Sequence, residues 1–131
     1  MEHPTTDIFV ELHVPDFQIA IDFYRQLGFA IAARQAEYLV LRKGKSQFNF
    51  YKGTEAVYEH SYFGQFPKST KRGYAVELIL FEDQLDELFA RIKDTVNIAA
   101  PIKLKPWGKR DFRIVDPFGF YLRISEPYNW A

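Results

Sequence analysis

Cysteine is absent from the 131 residues, which excludes disulfide frameworks, Cys-zinc sites, iron–sulfur clusters and thiol nucleophiles. A surplus of either charge is also missing, since 17 Lys and Arg balance 17 Asp and Glu. That balance argues against a general nucleic-acid binder and against an acidic trap for polycations. No apolar run approaches the roughly 18 residues of a membrane span. The opening Met1-Glu2-His3-Pro4 lacks the basic-then-apolar form of a signal peptide, so a soluble cytoplasmic protein is the expectation. There is no G-x-S-x-G and no Ser–His–acid spacing suited to nucleophilic catalysis. The glycines form no phosphate loop, because Gly28 and Gly119 read as a helix stop and a turn. The length fits one domain, or two half-sized units sharing a core.

What the sequence has in abundance is rings: 13 Phe, 8 Tyr and 2 Trp, or 18% of the chain. Two readings fit them. Most pack a core, as Phe commonly does, or part of the surplus lines a cleft for a flat or apolar ligand.

Strict alternation runs over 8–14. Ile8, Val10, Leu12 and Val14 fall on one side and Phe9, Glu11 and His13 on the other, which predicts a strand with one face on the core. Pro15-Asp16 breaks it, and Asp16 is a fair N-cap. Ile19, Phe23 and Leu27 then recur at helical spacing, with Tyr24 beside them, until Gly28 ends the helix. At an offset of 66 residues Val76-Glu77-Leu78 repeats Val10-Glu11-Leu12, Leu85 answers Ile19, and Phe89 answers Phe23. Strand candidates follow each helix: 29–34, 38–42 and 47–51 after the first, and 98–103, 112–115 and 120–125 after the second. Each half reads strand–helix–strand–strand–strand. The expected organisation is one domain over 1–131, with module 1 about 7–52, a ring-rich linker about 53–71 carrying a short helical turn, and module 2 about 72–127.

Val14-Pro15-Asp16-Phe17, Phe23-Tyr24 and Leu27-Gly28-Phe29 resemble the opening words of the glyoxalase/bleomycin resistance/dioxygenase (vicinal oxygen chelate) superfamily. Pro106-Trp107-Gly108-Lys109-Arg110-Asp111-Phe112, followed by Asp116-Pro117-Phe118-Gly119, resembles the closing words of its bleomycin-resistance branch. The resemblance implies an α+β fold in which two βαβββ modules form a curved mixed sheet around a central cleft. The apolar faces Ile8/Val10/Leu12 and Val76/Leu78/Leu80 then pack on helices. The mixed faces Phe9/Glu11/His13 and Ala75/Glu77/Ile79 look into the cleft.

Enzymes of this superfamily hold a divalent metal with His, Glu or Gln from the first and last strand of each module. Counting from the family's Asp positions, and by the 66-residue offset, those places hold Phe9, Asn49, Ala75 and Arg123. Phe and Ala cannot ligate, Asn ligates weakly, and Arg opposes a cation. The reading is therefore a binding protein with no metal, no cofactor and no catalytic residue, sequestering an aromatic or antibiotic-like small molecule. Its ligand-binding candidates are Phe9, Glu11, Asn49, Tyr51, Glu77, Trp107, Tyr121 and Arg123. Trp107 supplies a stacking face and Arg123 an anion or carbonyl contact.

Glu11 and Glu77 are expected to offset Arg123 and Arg113. His13 is expected to be structural, and His3 and His60 solvated. Lys103, Lys105, Lys109, Arg110 and Arg113 read as a solvated, lysine-bearing edge, with an anion-binding rim as the other reading. Two further functions stay open: a metal-dependent lyase, isomerase or dioxygenase with relocated ligands such as His13, Glu11 and Glu77, and a structural or regulatory dimer module with a filled cleft. Kinship implies a homodimer, with neither nucleic acid nor membrane as partner. Binders of cationic bleomycin are expected to be acidic. Here 67–131 carries eleven basic and nine acidic residues, which favours a neutral or anionic ligand.

Overall fold

In a computed structural model, which describes residues 7–53 and 56–129, the chain divides into two compact units over 1–69 and 70–131. In the first, β1 (Val10–Val14), α1 (Phe17–Gln26), β2 (Ala30–Arg34), β3 (Tyr38–Lys43) and β4 (Ser46–Lys52) build a four-stranded sheet in the order β1-β4-β3-β2. β1 runs parallel to β4 and the other neighbours are antiparallel. The second repeats the plan with β5 (Glu77–Phe81), α3 (Leu85–Ile92), β6 (Asn97–Leu104), β7 (Arg110–Val115) and β8 (Tyr121–Ser125), in the order β5-β8-β7-β6. These two βαβββ units are the α+β architecture that the alternation and the motifs implied. The ring-rich link contains α2 (Ala56–Glu59) and a 3₁₀ turn (Phe63–Gln65), so a short helical turn is present there.

Local chemistry explains most boundaries. The Asp16 side chain accepts a hydrogen bond from the Ile19 amide at 3.0 Å and caps α1. Gly28 takes φ +97° just beyond the helix end, a region that side chains avoid. Asp116 holds the β7–β8 turn, accepting from the amides of Phe118 at 2.9 Å and Phe120 at 2.8 Å. Pro101 sits in β6, an edge strand whose register shifts on either side of Ala100, where a missing amide hydrogen is tolerated.

Three expectations need correction. β1 begins at Val10, so Ile8 and Phe9 precede the ladder and are exposed. Alternation reports which face a side chain prefers and does not supply a hydrogen-bonding neighbour. β5 likewise begins at Glu77, because Gly73 (φ +69°) and Ala75 (φ +63°) turn the chain just before it. Ala75 is therefore not a strand residue. Finally, the units correspond at an offset of 68 residues. Ile19 is 45% exposed whereas Leu85 is 2% exposed, so the two are not counterparts. The buried helix positions Phe17, Ala20 and Tyr24 match Leu85, Leu88 and Ile92.

The cores differ in kind. In unit 1 the aromatic surplus fills the space between α1 and the sheet. The Tyr24 ring lies 5.3 Å from Phe48 and 5.5 Å from Phe50, and Phe29 stacks on Phe48 at 5.1 Å between centroids. In unit 2 the corresponding layer is mainly aliphatic, with Leu85, Leu88, Ile92, Ile114, Leu122 and Ile124 around Phe112.

Candidate functional site

Each core takes the even-numbered residues of β1, β4, β5, β7 and β8 but the odd-numbered Leu39 and Leu41 of β3, and the residues alternating with them share the opposite face of each sheet. In unit 2 that face collects Glu77 and Ile79 from β5, Tyr121 and Arg123 from β8, and Asp111 and Arg113 from β7. Arg113 and Arg123 are direct cross-strand partners, an arrangement that is repulsive unless anions intervene. Glu77 intervenes. Its Oε1 accepts from Arg123 Nε at 2.9 Å and lies 3.1 Å from Arg113 Nη1. Asp111, with 1% of its surface exposed, accepts from Arg113 Nε at 3.2 Å. Tyr121 Oη lies 3.5 Å from Arg113 Nη1. Arg123 Nη1 donates to Tyr128 Oη at 3.3 Å, and the Arg123 guanidinium lies 5.4 Å from the Trp107 ring centroid.

The electrostatics follow from these contacts. The hydrogen bond from Arg123 holds the Glu77 carboxyl below its usual range, against a partial desolvation that raises it. The same bond raises Arg123. Burial pulls Arg113 down, but its bonds to Asp111 and Tyr121 and the nearby carboxylates leave it raised overall. Beside this cluster lies a hollow of about 410 Å³, lined by Lys71, Arg72, Tyr74, Val76, Glu77 and Tyr121 among others.

Unit 1 presents a mostly neutral face built from the same positions. Tyr38 Oη donates to Glu11 Oε1 at 2.7 Å, and His13 Nε2 lies 3.5 Å from Glu11 Oε2. Partial burial raises the Tyr38 phenol, and its bond to the Glu11 carboxylate adds to that. Asn49, buried, accepts from Gln47 Nε2 at 2.9 Å. The Tyr51 ring lies 5.2 Å from His13, which Phe63 also meets edge-on at 5.3 Å. Gly53 is required here, since a Cβ would come within 2.9 Å of the His13 Cβ.

The candidates thus fall into two groups. Glu77, Trp107, Tyr121 and Arg123 gather in unit 2; Glu11, Asn49 and Tyr51 share the polar face of unit 1. Phe9 stands apart, 45% exposed and ahead of β1. Within unit 1 Glu11 serves Tyr38 and His13, while Glu77 is the carboxylate that offsets Arg113 and Arg123. Arg110 and Arg113 are not solvated edge charges. Arg110 binds Asp86 at 2.7 Å and Glu126 at 3.1 Å, tying α3 to the sheet, and Arg113 belongs to the Glu77 cluster. His60 is exposed, but its Nδ1 accepts the amides of Tyr62 at 3.0 Å and Phe63 at 3.2 Å; His3 lies outside the described residues. Tyr38, Asp111 and Tyr128 escaped the sequence reading. Asp111 and Arg113 alternate with Phe112 and Ile114, and that spacing was their available signal.

The 68-residue offset also changes which residues stand where relatives would ligate a metal. The place matching Phe9 is Glu77, not Ala75, and the place matching Asn49 remains Arg123. Arg123 and Glu77 are a diagonal pair across β5 and β8, the same geometry as Asn49 and Phe9, and they bond to each other. The four places then hold Phe9, Asn49, Glu77 and Arg123, one carboxylate already engaged by two guanidiniums. This donor set does not fit a divalent cation. Among the described residues no three His, Asp or Glu side chains converge as a metal cluster.

Comparison with family models matches residues 7–124 to the Glyoxalase/Bleomycin resistance protein/Dioxygenase superfamily. Comparison with curated proteins finds no match. Among solved structures, a bleomycin-binding protein complexed with bleomycin is 26% identical, covering 95% of this chain and 100% of its own, with a TM-score of 0.64. A bleomycin resistance determinant encoded on the transposon Tn5 is 24% identical over 95% of this chain and 100% of its own, with a TM-score of 0.67. A lactoylglutathione lyase from Agrobacterium tumefaciens shares the fold at 18% identity, with 99% of each chain covered and a TM-score of 0.69. The chain belongs to the glyoxalase/bleomycin resistance/dioxygenase superfamily.

Proposed function

We propose that this member of the superfamily binds and sequesters a small aromatic or antibiotic-like molecule, without a metal and without a covalent step. The observation that carries the reading is the Glu77–Arg123 pair, which puts an ion pair where an enzyme of the superfamily needs two free donors. Its likeness to a protein solved with bleomycin adds support for small-molecule capture. The charge balance points away from a cationic glycopeptide and towards a neutral or anionic aromatic compound. Candidate contacts are Trp107, Tyr121 and Arg123 in unit 2 and Tyr51, Asn49 and Glu11 in unit 1. Kinship favours a homodimer as the working form, which light scattering on the purified protein tests.

Binding to the folded state raises stability by mass action, about 2.7 kcal/mol at a ligand concentration ~100 times Kd. A thermal-shift screen of aromatic natural products, run with chelator and with added divalent ions, is the test. Hits that raise the melting temperature equally under both conditions support the proposal. A shift that requires the ion, or about one divalent ion per chain in protein purified without chelator, supports the metal-dependent alternative. Absence of any hit favours a module with a filled cleft.

A further inference from the structure

The charges of unit 2 do not close evenly. Asp111 is buried against Arg113, so that pair is matched within the sheet. Glu77 is the remaining carboxylate of the cluster, and it is shared by Arg113 at 3.1 Å and Arg123 at 2.9 Å. Lys105 also acts on Glu77, and Lys71 and Arg72 line the hollow in which Glu77 is set. The local field is therefore positive although the chain as a whole is neutral.

Arg123 is the cation of this cluster with a donor to spare. Of its five N–H donors, Nε is committed to Glu77 and Nη1 reaches Tyr128, while Nη2 makes no hydrogen bond among the described residues. Its plane is held by the Trp107 ring beneath it, and Trp107 is 46% exposed. A guanidinium fixed by one carboxylate and one indole keeps less rotamer freedom to lose on binding.

We propose that Arg123 is a built-in recognition cation, and that the ligand of this surface carries a planar carboxylate on a flat aromatic ring. The carboxylate bonds to Nη2 of Arg123, the donor left without a partner among the described residues, and the ring extends the stack that Trp107 begins. This rests on the sequestration reading and narrows it to a chemical class.

Calorimetry with three probes of one shape tests it: 2-naphthoate, the neutral 2-naphthamide and the cationic 2-naphthylmethylamine. The expected order places naphthoate about tenfold or more tighter than the amide, with the amine weakest and the naphthoate advantage shrinking at high salt. In Arg123→Gln the acid and the amide should come within about twofold of each other. Arg123→Lys, which keeps the charge without the planar fork, should retain part of the preference. Circular dichroism checks that both variants are folded, and the wild-type ranking stands as a test without them. Equal or tighter binding of the amide or the amine overturns the carboxylate assignment while leaving sequestration intact. Failure of all three to bind at millimolar concentration also overturns it, and the thermal-shift screen then judges sequestration separately.

Discussion

The two units share a topology and a strand register but solve opposite problems with it. Unit 1 packs a core of rings and carries a mostly neutral polar face, where Glu11 serves a phenol and an imidazole. Unit 2 packs an aliphatic core and carries an ionic face, where Glu77 and Asp111 hold two arginines side by side. A duplicated scaffold fixes where side chains point, and leaves open what chemistry stands there. In this chain the divergence falls on the positions where superfamily enzymes assemble a metal site.

The largest expected effects compare the cores. Phe50→Ala in unit 1 should cost about 3–5 kcal/mol, and Leu122→Ala in unit 2 about 2–5 kcal/mol, since both side chains are fully buried and each leaves a cavity. Urea denaturation measures both, and a cost under about 1 kcal/mol for either would mean that the layer repacks. The polar faces come next. Glu77→Gln leaves two adjacent guanidiniums without their shared anion and should cost about 1–2 kcal/mol at neutral pH. Glu11→Gln keeps an acceptor for Tyr38 and should cost under about 1 kcal/mol. Equal costs would erase the contrast between the faces.

Acid should sharpen the same contrast. The folded pKa of Glu77 lies below its ordinary 4.5, so the stability it contributes is fully present above that value. It is lost as pH falls through the lowered folded value. A stability–pH curve should therefore flatten on its acid side in Glu77→Gln, and an unchanged slope would remove Glu77 from the account. The smallest effect concerns the helix starts. α1 has the Asp16 cap, whereas Gln84 at the start of α3 makes no side-chain cap bond. Asp16→Ala should destabilise by about 1 kcal/mol and Gln84→Ser should stabilise by a few tenths to about 1 kcal/mol, both read from thermal unfolding.

Much of the site was legible because it lies on strands. Alternation placed Glu77 and Arg123 on one face with Glu11 and Tyr51 on its counterpart, and the Pro106-Trp107-Gly108 turn brings an indole next to Arg123. What was not legible was which residue of one unit answers which of the other. Offsets of 66 and 68 are both even, so each leaves every strand residue on the same face, and alternation cannot separate them. A helix can, because a two-residue slip turns its surface by about 200°. The exposure of Ile19 beside the burial of Leu85 decides for 68. That decision moves a metal-ligand place from Ala75 to Glu77.

Taken by itself, the order of residues determined the succession of elements and the family, and the inward faces except at Ile8, Val10 and Val76, which are exposed, since periodicity, caps and turn chemistry act over a few neighbours. Only the tertiary structure decided where each ladder starts, which strands pair, and that Glu77 bridges Arg113 and Arg123. Those outcomes depend on hydrogen bonds and charges that meet across sheets, between residues up to 46 positions apart, and no local pattern encodes such a meeting.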